Sequence, residues 1–384
     1  MNRTDSLGGR VALMVAHCAG MVDLVALPVW VGTLISRYGL DPQQAGLLAT
    51  LFLVGAVLAS SVLAPVFHRL TGRWVAALGF GLSGAAFWAV SITSDYATMA
   101  ALHALAGMTA GAALSVTHGT IARSRNPHRL FAIVGIALGF FAIVFLGGTP
   151  QIVAAVGGPA LFVVFAGVMV VASVVSLLAF PAPDGAPLAQ SQGSKDQRMP
   201  SAVWFGIVGI ACMGLVQSMT FSFLERVGTD RGFGLQALTG VFIALGIVNL
   251  TPAALAAVLE KKWLARRVML VGPVLQALLV VVIMNSTAFA PYAAAASVFA
   301  AVMIFTHTFA FGLLARLDTT GRSMAATPAM LMVGAAIGPI LGGTLIKLFG
   351  YGSLGAAALV MAAVAVFCFS CIPSAQRNVL KAAT

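Results

Sequence analysis

The chain has 384 residues, of which 60% are apolar and 8% are charged, whereas soluble domains run at about 45–50% and about 25%. A water-soluble globule is excluded on that count. The formal charge of +11 invites a nucleic-acid partner, but no polar segment is long enough to build the basic face that such binding needs.

The apolar residues arrive in blocks of about 20, each long enough to cross a bilayer as a helix. In chain order the predicted spans are 11–35, 44–67, 74–93, 97–122, 130–154, 159–180, 202–225, 236–259, 267–287, 289–315, 324–349 and 352–372. The first block is too long for a signal-peptide core and carries no cleavage signature, so it counts as a span. Between the ninth and tenth spans the only break is Asn285, Ser286 and Thr287. Alternating strands of the barrel type are absent from the pattern.

Twelve spans with both termini in the cytosol place Arg37, Arg226, Arg231 and Lys347 outside and the other seventeen of the 21 Lys and Arg inside. Basic residues in short loops stay cytoplasmic. The basic excess is therefore an orientation signal, with a secondary role in holding anionic lipid headgroups. One acid, Asp23, is left within a span.

Residues 181–200, PAPDGAPLAQSQGSKDQRMP, form the longest polar stretch and lie near the midpoint. They read as a cytosolic linker between an N-terminal bundle at 1–180 and a C-terminal bundle at 201–384. At an offset of about 193, ARSRNPHR at 122–129 falls on ARLDTTGR at 315–322, and HRLTGRW at 68–74 falls on KKWLARR at 261–267. One offset thus matches two basic loops, the sign of a parallel duplication. The fold class expected is an all-α membrane protein with 12 transmembrane helices in two pseudo-symmetric six-helix bundles.

This arrangement resembles the major facilitator superfamily over nearly the whole chain. GAAIGPILGG at 334–343 is similar to that family's G-x-x-x-G-P-x-x-G-G run, with Gly338 and Pro339 at its centre. HALAGMTAG at 103–111 resembles the fourth-helix pattern R-x-x-x-G-x-x-x-G, with His103 where arginine is usual. APVFHRLTGRW at 64–74 resembles the loop after the second helix, but lacks its aspartate and first glycine. The family's antiporter run, expected in the fifth helix, is poorly matched by Gly139, Gly147, Gly148 and Pro150. The resemblance implies transport by alternating access. It also implies gating by the inner loops, for which Arg69, Arg73 and Arg129, with Asp318 as acceptor, are the candidates, together with the kink and close approach offered by Gly338 and Pro339.

Asp23 is the leading chemical candidate, because an acid at mid-span costs roughly 2.5–3.5 kcal/mol on insertion scales and faces a cavity or a partner. Gly20, Leu27 and Trp30 share its helical face, which places an aromatic wall beside the acid. His103 and His307, in the fourth and tenth spans, suit a proton relay with it. His17 precedes Asp23 by six residues and points elsewhere on the same helix; His118 lies towards the headgroups. For the solute, the candidates are Trp30, Gln217, Phe221 and Asn249; Gln217, Phe221 and Glu225 recur at intervals of four. Glu225 reads as a wetted rim residue, with Arg226 as its surface partner.

The cysteines Cys18, Cys212, Cys368 and Cys371 all fall in spans and make no disulfide framework, and the C-x-x-C of the last two has no second pair to complete a metal site. No phosphate-binding loop of the Walker type occurs, so neither ATP nor any other cofactor is expected. The sequence reads as a proton-coupled secondary transporter in a bacterial inner membrane, exporting a neutral or cationic organic compound. Its partners are the solute, protons and membrane lipids, with no nucleic acid and no obligate protein partner. Proton symport of a small organic acid inward is the rival within transport; a membrane sensor or a membrane-embedded enzyme is the rival outside it.

Overall fold

The computed structural model describes residues 3–63, 66, 70–184, 200–260, 262–317 and 322–372. Among them, twelve helical stretches are long and apolar enough to cross a membrane, which matches the number expected. The break at 285–287 holds, since one helix ends at Asn285 and the next starts at Phe289.

The twelve stretches contain fifteen helices. Those before the 181–200 segment are α1 (Leu7–Gly20), α2 (Val22–Tyr38), α3 (Pro42–Leu63), α4 (Gly72–Ser91), α5 (Tyr96–Ala122), α6 (Pro127–Val156) and α7 (Pro159–Ala179). After it come α8 (Ser201–Ser222), α9 (Leu224–Asp230), α10 (Leu235–Val248), α11 (Pro252–Leu259), α12 (Ala265–Asn285), α13 (Phe289–Leu317), α14 (Arg322–Phe349) and α15 (Gly352–Ser370). Three stretches are therefore interrupted. Met21 separates α1 from α2 at φ −108° and ψ 17°, and Phe223 separates α8 from α9 at φ −111° and ψ 8°. Asn249 to Thr251 separate α10 from α11. Such breaks free backbone groups inside the bilayer, where only neighbouring protein or water can satisfy them.

Helix ends follow local chemistry. Asp95 caps α5, its carboxylate accepting from the Thr98 amide at 2.7 Å, as expected of an Asp at a helix start. Pro127 and Pro159 stand in the first turns of α6 and α7, where their missing N–H costs nothing. Gly39 ends α2 at φ 65°, a left-handed conformation that a side chain would strain. The Arg231 guanidinium donates to the carbonyls of Ile283, Met284 and Ser286, closing the end of α12.

With twelve crossings, residues 3 and 372 lie at one end of the bundle, here the near end; the other is the distal end. Within the first seven helices, α3 packs on α5, and α4 lies between α5 and α7. Within the last eight, α14 and α15 pack on α8, and α12 on α13 and α15. The two groups meet through α3 with α14, α6 with α10, and α2 with α8 and α9. An aromatic cluster fills the first group: Trp30 is 0% exposed, with the rings of Phe52, Phe87 and Phe165 edge-on within 5.8 Å of it.

Candidate functional site

Asp23 falls in the first turn of α2, two residues after the break at Met21. It is 2% exposed, and its Oδ1 has no hydrogen-bond partner. A buried, unpartnered carboxyl oxygen is costly to keep. The break provides its setting, because an uninterrupted helix would carry it past the same seam with no free backbone nearby.

The seam between the first and fourth spans runs antiparallel past this acid. One turn towards the near end, Gly20 lies against Leu114, and beyond it His17 Nδ1 and His118 Nε2 are 3.0 Å apart. Towards the distal end, Trp30 Nε1–H donates to His103 Nε2 at 3.3 Å, and His103 Nδ1 meets the Met99 carbonyl at 2.7 Å. A carbonyl only accepts and an indole N–H only donates, so His103 is the neutral tautomer with its hydrogen on Nδ1. Both ring nitrogens are occupied. In this conformation His103 positions Trp30 and is not open to a proton, a correction to the relay role. Trp30 likewise lines no vestibule: it is closed into the ring cluster, stacked on His103 at 5.5 Å. The aromatic wall beside Asp23 is thus core packing.

His307 differs. It repeats the contact of His103 by donating Nδ1–H to Met303, four residues back, at 2.9 Å, and it lies beside Phe311. It is half-buried.

On the other side of the molecule, Gln217 is half-buried on α8, and its Oε1 accepts from Gln276 Nε2 of α12 at 3.2 Å. Gln276 is 1% exposed and also donates to the Met213 carbonyl. Sequence reading missed Gln276, although a mid-span amide is the same signal that singled out Gln217. Phe221 is buried. The break at Phe223 puts Glu225 on α9, so the expected row of amide, ring and acid does not continue along one helix. Glu225 is half-buried; its Oε1 accepts from Thr229, while Oε2 lies over Gly32 of α2. It sits between the two groups of helices and not on a wet rim, and Arg226 pairs with Asp230 instead. Asn249 ends α10 at the third break, and its buried Oδ1 has no partner.

The expected gate is placed differently. Arg69 and Asp318 lie outside the described residues; Arg129 is exposed and Arg73 is half-buried with no partner for its Nε. The cross-contacts lie at the distal end. Lys347 Nζ donates to Asp41 Oδ2 at 2.9 Å and to Gln43 Oε1 at 3.2 Å. The Ile340 amide donates to Thr50 Oγ1 at 3.1 Å, and Gln151 donates to Thr239 at 2.9 Å. Gly46 touches the Pro339 carbonyl and Gly343 the Pro42 carbonyl, with no room for a Cβ at either. Gly338 approaches α8 as closely, beside Ser218. Gly338 and Pro339 therefore stand at helix contacts, and no local pattern points to Asp41 and Lys347 as a pair.

Among the described residues no group of three or more His, Cys, Asp or Glu could hold a metal ion. Comparison with known proteins gives the frame for these side chains. Among solved structures, a nucleoside transporter, NupG, shares 14% identity over 95% of this chain and 97% of its own, with a TM-score of 0.70. A bacterial homologue of the human lysosomal transporter Spinster, in an inward-facing and occupied conformation, shares 13% over 94% and 93%, with a TM-score of 0.69. No curated protein matches. The family profile of the Major Facilitator Superfamily matches residues 12–317. The chain belongs to the Major Facilitator Superfamily and is a membrane transporter of small solutes by alternating access, not an enzyme.

Proposed function

We propose that this transporter couples the movement of a small organic solute to protons, that Asp23 carries the proton, and that export of a neutral or cationic compound is its direction. The observation that supports this most is the carboxyl of Asp23, buried at a helix break with one oxygen unpartnered. An intramembrane acid is by default a functional group. A further unpartnered buried oxygen, on Asn249, and the amide of Gln217 offer places for a solute that brings N–H or O–H donors. Arg37, Arg226, Arg231 and Lys347 stand at the ends of their spans, so among the described residues no cation at mid-depth awaits an anionic solute. His307, with one ring nitrogen beyond its Met303 contact, is the second proton-carrying candidate.

In this reading the near end is cytosolic because it holds most of the basic residues, and the membrane is a bacterial inner membrane with both termini inside. The segments 1–180 and 201–384 rock as two bundles about the central site, and the distal contacts close the route to the outside. A thermal-shift screen of amphipathic cations, sugars and aromatic acids supplies the solute for the decisive assay. In proteoliposomes with an imposed pH gradient, the wild type accumulates that solute, whereas Asp23→Asn lets it equilibrate without accumulation. Accumulation by Asp23→Asn equal to wild type removes the acid from coupling. Solute movement with protons and not against them reverses the direction to symport.

A further inference from the structure

We propose that His17 and His118 form a one-proton site that alternates with Asp23 in holding the transported proton; the inference rests on the reading that Asp23 couples transport. The two imidazoles belong to different spans. His17, on α1, is 6% exposed, and its Nδ1 is 3.0 Å from Nε2 of His118 on α5. The ring centroids are 5.2 Å apart at 41°, and Phe131 of α6 closes edge-on over His118 at 5.7 Å. No metal-binding cluster surrounds them among the described residues.

The chemistry of the pair follows from its geometry. When both rings are neutral, one N–H donates and the facing bare nitrogen accepts. A first added proton, taken on the outward nitrogen of the donor ring, makes that ring an imidazolium and turns the contact into a charge-assisted N–H···N bond, which is stronger. A second would leave two N–H groups facing each other with no acceptor and two like charges. The pair therefore holds one proton and refuses another.

Its relation to Asp23 follows from helix geometry. Asp23 stands six residues beyond His17, about 9 Å along an unbroken axis, too far for a direct bond or one bridging water, so transfer requires the Gly20–Leu114 contact to part and admit a short chain of waters. In the transfer, an imidazolium N–H gives its proton to the first water of that chain, the last water passes one on to the Asp23 carboxylate, and no other bond changes. With the proton on the pair, a cation faces an anionic Asp23; with the proton on Asp23, both sites are neutral. The seam carries the same total charge in both states; the ion-pair state costs more desolvation, partly offset by the attraction of the two charges.

Few other ionisable groups face this pair. Helices α3 and α7 carry none, α4 carries only Arg73, and α6 carries His128 and Arg129 in its first turn, with Arg129 exposed. On α5 are Tyr96, at the distal end, and His103, closed between Met99 and Trp30. On α1 are Cys18 and Arg10, the latter paired with Asp5 at 3.4 Å. On α2, besides Asp23, Arg37 and Tyr38 lie at the distal end, and α9, packed on α2, brings Glu225 over Gly32.

Two measurements on the full-length protein in nanodiscs test the site. With ¹⁵N-labelled histidine, we expect a scalar coupling across the hydrogen bond between His17 Nδ1 and His118 Nε2, persisting after the pair takes its proton and lost in His118→Gln. Absence of that coupling at every pH overturns the proposal without recourse to any variant. In the second, a hydrophobic carbodiimide labels Asp23, read by mass spectrometry of its peptide. His17→Gln and His118→Gln should each change the labelling rate by about tenfold, the scale of coupling between linked sites. Wild-type rates in both variants overturn the pair and leave Asp23 in place. Failure of Asp23 to label in the wild type strikes instead at the coupling role of Asp23 itself.

Discussion

Two seams of this transporter are built on opposite plans. Between the first and fourth spans, contact is made by side chains: His17 on His118, Gly20 under Leu114, Trp30 on His103. Between α3 and α14, the closest approaches are of backbone, Gly46 on the Pro339 carbonyl and Gly343 on the Pro42 carbonyl, with a few polar side chains, Thr50, Gln43 and Lys347, bridging beside them. The first lies within one group of helices and holds the ionisable groups in fixed partnership. The second joins the two groups and can part, because it loses little interlocking side-chain surface when it opens. Small residues permit this close approach in a membrane, where lipid is as apolar as the helix surface. On the proposed reading, proton chemistry and movement fall to different materials.

The largest effect should come from breaking the side-chain seam at Trp30. Replacing it with Ala empties the centre of the ring cluster and should cost about 3–5 kcal/mol, as large-to-small changes at buried aromatics do. Trp30→Phe keeps most of the volume but removes the N–H, leaving His103 Nε2 buried and unpaired, at a cost of about 1–3 kcal/mol. Unfolding in mixed micelles measures both. Equal losses for the two variants would mean that the hydrogen bond, not the packing, holds this seam.

A second substitution tests the backbone seam. Gly46→Ala places a methyl against the Pro339 carbonyl, an overpacking worth about 1–3 kcal/mol. Because that penalty exists only while the distal end is closed, the variant should shift conformation rather than lose its fold. In a protein freed of its four native cysteines, maleimide labelling of a cysteine introduced at Gln43 should rise in Gly46→Ala. Unchanged labelling, together with a fall in overall stability, would place this contact in the permanent core.

These two seams were not equally legible in the sequence. Spans could be read because a 20-residue apolar block has one stable solution in a bilayer. The glycine run at 334–343 announced close approach, since only small residues allow it, but a pattern on one helix cannot name the helix that it touches. The pairing of His17 with His118 was hidden for a related reason. Rules of local spacing showed that His17 turns away from Asp23, but its partner lies 101 residues on, and only packing supplies it. Local pattern makes Trp30 a solute-lining candidate and His103 a proton-relay candidate, because an aromatic and an ionisable group at mid-depth suggest a cavity; in the fold each satisfies the other. The helix break at Phe223 has no proline or glycine beside it, so nothing local marks it, and the one at Met21 is marked only by Gly20, a weak signal on its own. The break at Phe223 is why a spacing of four failed to carry Glu225 onto the face of Gln217.

The smallest effect belongs to the ion pair that closes the distal end, and its pH dependence separates the seams. Partial burial is the largest influence on Asp41 and pushes its carboxyl up. The hydrogen bonds from Lys347 and the Gln44 amide, with the charge of Lys347, outweigh it and hold the group below its ordinary value of 3.8. A depressed carboxyl contributes fully above its ordinary value and loses that contribution as pH falls through the depressed one. The pair is therefore constant between about pH 8 and pH 5 and weakens only near and below about pH 4. Both side chains are about a third or more exposed, so Asp41→Asn should cost at most about 1 kcal/mol and raise labelling at position 43 by less than about fivefold. The increase should be the same at pH 8 as at pH 5. Any change in distal exposure across that window then originates in groups other than this pair, the histidines and Asp23 of the other seam or Glu225 between the two groups, since the ion pair does not titrate there. A pH response between 8 and 5 that Asp41→Asn abolishes would join the two seams into one device and end the division of labour between them.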